Sequence, residues 1–419
     1  MEKQESFPKW SRRNFMSLLA GTPLLLQSGN TNEPGVQKEI NFPARSEFEL
    51  KGTYLNAAFT HPMSKGSFKE VSRFLNERLM NRHNPEGYDG FDRRDALNNF
   101  ARLINATPEE IAWVPSTMFG ENMIVSGLDL ARSGAHVITD AFHFQGSLHM
   151  YTQLEKKGLK LSIIQPKENR IEIEAIENAI TPQTKLIAVS LVSATTGFQH
   201  DLKKLCAMAH THNIPVYADI IQAAGAIPID VQATGVDFCA SATYKWLMGD
   251  FGIGFLYVRK DRLHLLERSF YGYRQIKSSA SHFLPFDAPG ENIFESEAKE
   301  DTGGHFEVGT FANEGIVALR YSLDYLNRAG VEKITQYRLP MIQALQQSLP
   351  KNGFIPLTPE KSESPIVCFA LKDAFKKIKS RLDLADVNIQ VYEHYIRISP
   401  SFYNDMNDVD KLVEVLRRS

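Results

Sequence analysis

Apolar residues run through this chain at two periods, and their alternation predicts a layered α/β protein. Short continuous runs rich in Val, Ile, Leu and Phe fall at 135–140, 161–164, 184–192, 214–219, 236–240 and 254–258, with Trp113 and Val114 at the end of another. Continuous rather than alternating runs mark strands buried on both faces. Between them, apolar residues recur at helical spacing in 67–79, 91–103, 171–180 and 201–212. Strands alternating with helices predict a mainly parallel sheet covered on both sides, with ligands beyond the carboxyl ends of its strands. The expected strand ends, Ser116, Phe142, Ser193, Asp219 and Ser241, all bring polar or aromatic groups there. A turn cluster lies at 84–88, and Thr107 and Pro108 suit the start of a helix. The acidic, glycine-bearing stretch 287–304 predicts a mobile loop. After a helix at 313–326, strands at 366–371 and 395–398 and helices at 375–383 and 408–417 predict a smaller C-terminal α/β domain. The expected division is 53–312 for the large domain and 313–419 for the small one, preceded by a linker and arm at 30–52.

Residues 1–29 do not belong to this pattern. Ser11-Arg12-Arg13-Asn14-Phe15-Met16 resembles a twin-arginine export signal, and the weakly apolar segment 16–26 is too short to span a bilayer stably. The resemblance implies passage of the folded protein through the twin-arginine translocase into the periplasm. Composition changes this picture little. A net charge of −2 over 419 residues gives no reason to expect nucleic acid or an anionic membrane as partner. The three cysteines, Cys206, Cys239 and Cys368, sit in apolar contexts without metal-ligand spacing, so they read as core thiols and no metal site is expected.

Candidate chemistry gathers on Lys245. It follows the apolar run 236–240 and the small hydroxyl residues Ser241 and Thr243, and precedes Gly249, Gly252 and Gly254. A lysine between buried strands loses solvation, so its pKa falls and its neutral amine can attack an aldehyde to form a Schiff base; otherwise its stem covers apolar surface. Asp219 ends a β-branched run 26 residues upstream, either as a helix cap or as the partner of a protonated ring nitrogen. The stretch 113–122 reads as a strand running into a helix N-terminus, a natural phosphate site. Arg397 stands between apolar neighbours on a strand, which is costly unless a structural partner or a substrate carboxylate pairs with it.

Together, Asp219, Gln222, the hydroxyl cluster and Lys245 resemble the class V aminotransferase family of pyridoxal phosphate (PLP) enzymes, which includes cysteine desulfurases, selenocysteine lyases, kynureninases and isopenicillin-N-epimerase-like proteins. The resemblance runs from Tyr54 to the C-terminus. Residues 54–59 resemble the family's opening Tyr-Leu-Asn/Asp-Asn-Ala-Ala, and 116–122 its phosphate turn, with Met118 and Phe119 replacing threonine and glutamate. Residues 305–310 resemble Arg-Phe-Glu-x-Gly-Thr, with His305 replacing arginine, and 395–404 resemble Val-Arg-Ile-Ser-Pro-x-x-Tyr-Asn. The implied fold is PLP-transferase fold type I, with a mainly parallel seven-stranded sheet. The implied roles are covalent cofactor attachment and proton transfer for Lys245, ring-nitrogen partner for Asp219 and O3′ contact for Gln222. Thr117, Met118, Ser241, Thr243, Tyr244 and Thr310 would surround the phosphate, Thr310 from the neighbouring subunit of a homodimer. Arg397 and Asn56 would meet the substrate. An aromatic residue stacks on the cofactor ring; His143 is chosen over Phe142 and Phe144.

The reaction is expected at the α carbon of an amino acid or an amino-acid-derived peptide, as in epimerisation, transamination or deamination of the isopenicillin-N-epimerase type. The alternatives are a C–S or C–Se lyase, tailoring of a siderophore peptide in the periplasm, and a non-catalytic binding protein on the same fold. No cysteine lies in 385–394, where a desulfurase nucleophile is expected, which argues against persulfide chemistry.

Overall fold

A computed structural model describes residues 40–80, 93–131 and 134–417. The twin-arginine segment, the first part of the linker and the 84–88 turn lie outside these residues. After a short N-terminal strand, β1 (Thr53–Tyr54), the central sheet is built from β2 (Ile111–Val114), β3 (His136–Asp140), β4 (Lys160–Ile164), β5 (Thr184–Ser190), β6 (Val216–Asp219), β7 (Phe238–Ala242) and β8 (Gly254–Val258). Their order is β2-β8-β7-β6-β5-β3-β4. The pairs from β7 through β4 are parallel, and only β8 runs against its neighbours. This is the mainly parallel seven-stranded sheet expected from the sequence. The strands β2, β3, β6, β7 and β8 are buried along their whole length, as continuous apolar runs require.

Helices cover both faces. They include α1 (Lys65–Leu79), α2 (Arg93–Ile104), α3 (Thr117–Gly127) and α4 (Gln145–Glu155). Ser116 caps α3 by accepting the Phe119 N–H at 3.1 Å. Gly120 lets α3 lie close on the sheet: a Cβ there would stand 3.0 Å from the Cβ of Ala240 on β7.

Two segments depart from the sequence expectation. Within the stretch read as a loop, Phe294–Ala298 (β10) pairs antiparallel with Ile276–Ser281 (β9). Neither strand of this hairpin is buried on either face, so no apolar alternation announces it. The helix Val331–Ser348 has no counterpart in the sequence reading, because Pro340 interrupts it. Burial of Ile334, Met341, Ile342 and Leu345 holds it together across the missing backbone donor.

The C-terminal sheet orders β11 (Ile355–Pro356), β12 (Val367–Ala370), β15 (Tyr395–Ile398) and β14 (Gln390–Val391), while β13 (Val387–Asn388) pairs with β1. Ile396 and Ile398 pack with Val367 and Phe369 in the smaller core. Strand alternation turns Arg397 and its cross-strand partner Cys368 to the other face, where Cys368 joins the main core. By their contacts the described residues form one unit. No helix among the described residues is long and apolar enough to cross a membrane.

Candidate active site

Adjacent parallel strands deliver the two central groups to one sheet edge. Asp219 ends β6 opposite Ala240 of β7, and Lys245 follows the end of β7 by three residues. The turn after Asp219 closes on its own carboxylate, whose Oδ1 accepts the Ile221 N–H at 2.9 Å. No described residue donates to Oδ2. Gly225 lets this turn lie against the lysine loop: its φ is +85°, and a Cβ would meet the Trp246 carbonyl at 2.5 Å. Gln222 spans the two loops, accepting the Trp246 indole N–H at 3.0 Å and donating to the Ala58 carbonyl at 3.1 Å. One amide N–H of Gln222 is left over.

Lys245 is buried. Burial and the nearby Arg397 charge lower its pKa to about 8, against the pull of Asp219. Burial raises Asp219 to about 6, opposed by the Ile221 N–H and by His143. An amine that is partly neutral near physiological pH therefore shares a buried edge with a carboxylate.

The start of α3 lies beside this edge. Thr117 Oγ1 accepts the Ala242 N–H at 2.8 Å, which ties the helix to the end of β7. The backbone N–H groups of Thr117 and Met118 have no acceptor among the described residues, as expected of a helix's first turn. The hydroxyl cluster is less unified than the sequence implies. Thr243 Oγ1 donates to the Asp250 carbonyl at 2.7 Å and lies 3.2 Å from that of Ile253; Ser241 Oγ donates to the Ala242 carbonyl at 2.9 Å. A phosphate accepts hydrogen bonds, and a hydroxyl has a single hydrogen to give. In this structure the Thr243 and Ser241 hydroxyls, expected at the phosphate, are given to backbone carbonyls and brace the lysine loop. Tyr244 stacks on Phe251 at 4.6 Å, with its hydroxyl unpartnered among the described residues. Thr310 is not gathered at Lys245. It is exposed, 3.3 Å from the Tyr273 hydroxyl, on a cavity of about 200 Å³ with Pro115, Phe119 and Gly252.

Arg397 is 4% exposed. It donates to the Ala194 carbonyl at 3.0 Å, its Nε is buried without a partner, and no carboxylate among the described residues pairs with it. Nearby, Asn56 donates to Asn388 Oδ1 at 3.0 Å while its own Oδ1 is buried and unpartnered.

The choice of His143 as ring-stacking residue is corrected. Its side chain is wholly buried, with Nδ1 2.8 Å from Ser190 Oγ and Nε2 3.0 Å from Glu121 Oε1. A ring clamped at both nitrogens beneath the surface offers no face to a cleft. Phe142 is buried against Phe198, whereas Phe144 is 37% exposed and lies next to Gly146 and Met118. Glu121 is the residue sequence reasoning missed. Its signal was the single charged residue in α3.

All three cysteines are buried. Burial raises Cys368 to about 12 and pushes Cys206 and Cys239 up as well, so none offers a thiolate. The segment in which a desulfurase nucleophile was sought passes through β13 and ends in a tight hairpin, with only residues 392–394 between β14 and β15.

The family described as aminotransferase class-V matches residues 83–412. A probable cysteine desulfurase of Methanothermobacter thermautotrophicus is 26% identical over 71% of this chain and 72% of its own. Among solved structures, the cysteine desulfurase CsdA of Escherichia coli superposes with a TM-score of 0.76 at 20% identity, covering 91% of this chain and 98% of its own. The cystine C–S lyase C-DES, solved with its product cysteine persulfide, gives 0.77 at 19% identity, covering 90% and 99%. The family match takes in both sheets and the lysine loop, and the chain accordingly belongs to the class V aminotransferases, PLP-dependent enzymes of fold type I.

Proposed function

We propose that this protein is a PLP-dependent C–S lyase that acts on a sulfur-bearing α-amino acid by β-elimination, without a persulfide on an enzyme cysteine. The observation that carries it is Arg397, a buried cation with no carboxylate partner among the described residues and close enough to Lys245 to lower its pKa. Such a charge is costly unless something pairs with it, and the carboxylate of an amino acid supplies the planar bidentate match. The residues also fit the cofactor. A buried amine, the donor-free Oδ2 of Asp219, the spare N–H of Gln222 and the free N–H groups starting α3 suit its aldehyde, ring nitrogen, O3′ and phosphate. Exposed Phe144 is the aromatic residue available to its ring.

When bound, PLP supplies an electron sink for the substrate's Cα. Arg397 grips the carboxylate and fixes which Cα bond faces Lys245. With a pKa of about 8, Lys245 is roughly one-quarter neutral at pH 7.5 and takes the Cα proton. The Cβ–S bond then breaks with its electron pair leaving on sulfur, a Cα=Cβ bond forms, and the released 2-aminoacrylate adds water to give pyruvate and ammonia. Asp219, as an anion, keeps the ring nitrogen protonated.

Two observations favour this over the epimerase-type reactions that the sequence reading placed first. The relatives include cysteine desulfurases and a cystine C–S lyase, and this chain has no exposed thiol among its described residues. The test is product analysis with cysteine, cystine and alanine. Pyruvate matched by thiol or sulfide release is expected. Alanine formed from cysteine, or inverted or transaminated alanine without loss at Cβ, would overturn the reading. We also propose export through the twin-arginine route and a homodimer in which exposed Thr310 meets the partner's phosphate site.

A further inference from the structure

Behind Asp219 lies a charged pair that this chemistry does not use. Glu121 of α3 is fully buried, with Oε1 against His143 Nε2 at 3.0 Å and Oε2 accepting the Ser147 hydroxyl. His143 places Nδ1 2.8 Å from Ser190 Oγ, which also accepts the Phe144 N–H at 3.2 Å. Ser190 is the register partner of Asp219 across β5 and β6, so parallel pairing sets their side chains on the same face. An imidazole with a carboxylate at one nitrogen and an accepting hydroxyl at the other is suited to donate from both, as only the protonated ring does. A buried carboxylate is costly alone and much less so beside a protonated imidazole.

We propose that Glu121 and His143 form a buried ion pair that holds Asp219 in its anionic form, His143 being a positioning residue for that charge. The inference rests on the reading that Asp219 serves the cofactor's ring nitrogen. The groups facing the pair support it. Glu121 reaches His143 from α3, Asp219 from β6 and Asp140 from the end of β3, where Asp140 also holds His200 at 3.1 Å. Burial draws the His143 pKa down, but these three carboxylates outweigh it and raise it. Tyr151 from α4 and Tyr217 from β6 face Glu121, and burial keeps both phenols neutral. At Asp219 the favourable effect of His143 exceeds the repulsion from Glu121, so losing the pair favours protonated Asp219.

The test is equilibrium binding of PLP to apoprotein from pH 5 to 8.5. Wild-type affinity is expected to fall below about pH 6, as Asp219 takes up a proton. In His143→Gln that break should move up by about one pH unit, giving roughly fivefold weaker binding at pH 6, roughly tenfold at pH 5 and unchanged binding at pH 8.5. Glu121→Gln, nearly isosteric, should move it in the same direction but less, because a repulsion is removed as well. A break at the wild-type pH, or a loss equal at every pH, would overturn the pair's role. If His143→Gln does not fold, Glu121→Gln and nitrogen-labelled imidazole spectra of wild-type apoprotein decide: His143 protonated at both nitrogens at pH 7.5 supports the pair, and a neutral ring refutes it. Asp219→Asn separates the two readings. If it keeps the acid break, the cofactor role of Asp219 has failed, and the pair's role falls with it.

Discussion

Replacing Arg397 with methionine should make the empty protein more stable and the enzyme worse. The guanidinium is almost wholly buried, bonded to one carbonyl, and its Nε has no partner. The effective penalty for burying an ion is several kcal/mol. The single charged hydrogen bond to Ala194 returns about 1.5–3 kcal/mol of that. Methionine fills a similar volume without charge but leaves the Ala194 carbonyl unpaired, at a cost of about 1 kcal/mol. The balance favours Arg397→Met apoprotein by ~1–3 kcal/mol, read as a higher denaturant midpoint. Substrate binding should move the other way. Loss of a buried partner for a carboxylate costs ~2–5 kcal/mol, or roughly 30- to 5,000-fold in affinity. Because Arg397 also lowers the Lys245 pKa, the variant's lysine should titrate higher than about 8. The assay compares amino acids with their decarboxylated amines by the absorbance of the bound cofactor. Wild type should prefer the acids and the variant should not. A variant that is less stable and still discriminates would mean that Arg397 is a structural residue.

Lys245 also makes stability depend on pH. Its pKa falls from 10.5 in the open chain to about 8 in the fold, so between those values the unfolded chain holds more protons and apoprotein stability rises with pH, by about 3 kcal/mol in all. Lys245→Met should lack that rise, and denaturant titrations at pH 7.5 and 10.5 read the difference. Cys368→Ala should lose ~1–3 kcal/mol of packing yet keep pyruvate formation near wild type, since the thiol is buried and protonated; loss of turnover with the fold intact would restore a catalytic cysteine. Arg12→Lys with Arg13→Lys should hold the protein in the cytoplasm, as fractionation and immunoblotting would show; unchanged periplasmic yield would exclude the twin-arginine route.

The mainly parallel sheet could be expected from the sequence because buried parallel strands are written as continuous apolar runs, and a run such as 184–192 is legible without any partner; the order of the strands was not. The same holds for Asp219 and Lys245: Asp219 ends one such run, Lys245 closely follows another, and parallel strands bring their ends to one edge. Arg397 was legible because a charge between two isoleucines on a strand must face away from them. What only the tertiary structure decided is where the polar atoms near those ends point. Thr243 and Ser241 sit beside Thr117 in type and place, yet their hydroxyls brace the backbone, because a hydroxyl's direction depends on the loop folded over it. His143, Phe142 and Phe144 are adjacent, and successive residues of a turn can face core or cleft; it was the buried carboxylate of Glu121, 22 residues upstream, that drew His143 inward and left Phe144 at the surface. The hairpin of Ile276–Ser281 and Phe294–Ala298 was hidden for the opposite reason, since strands that bury nothing leave no hydrophobic period to read.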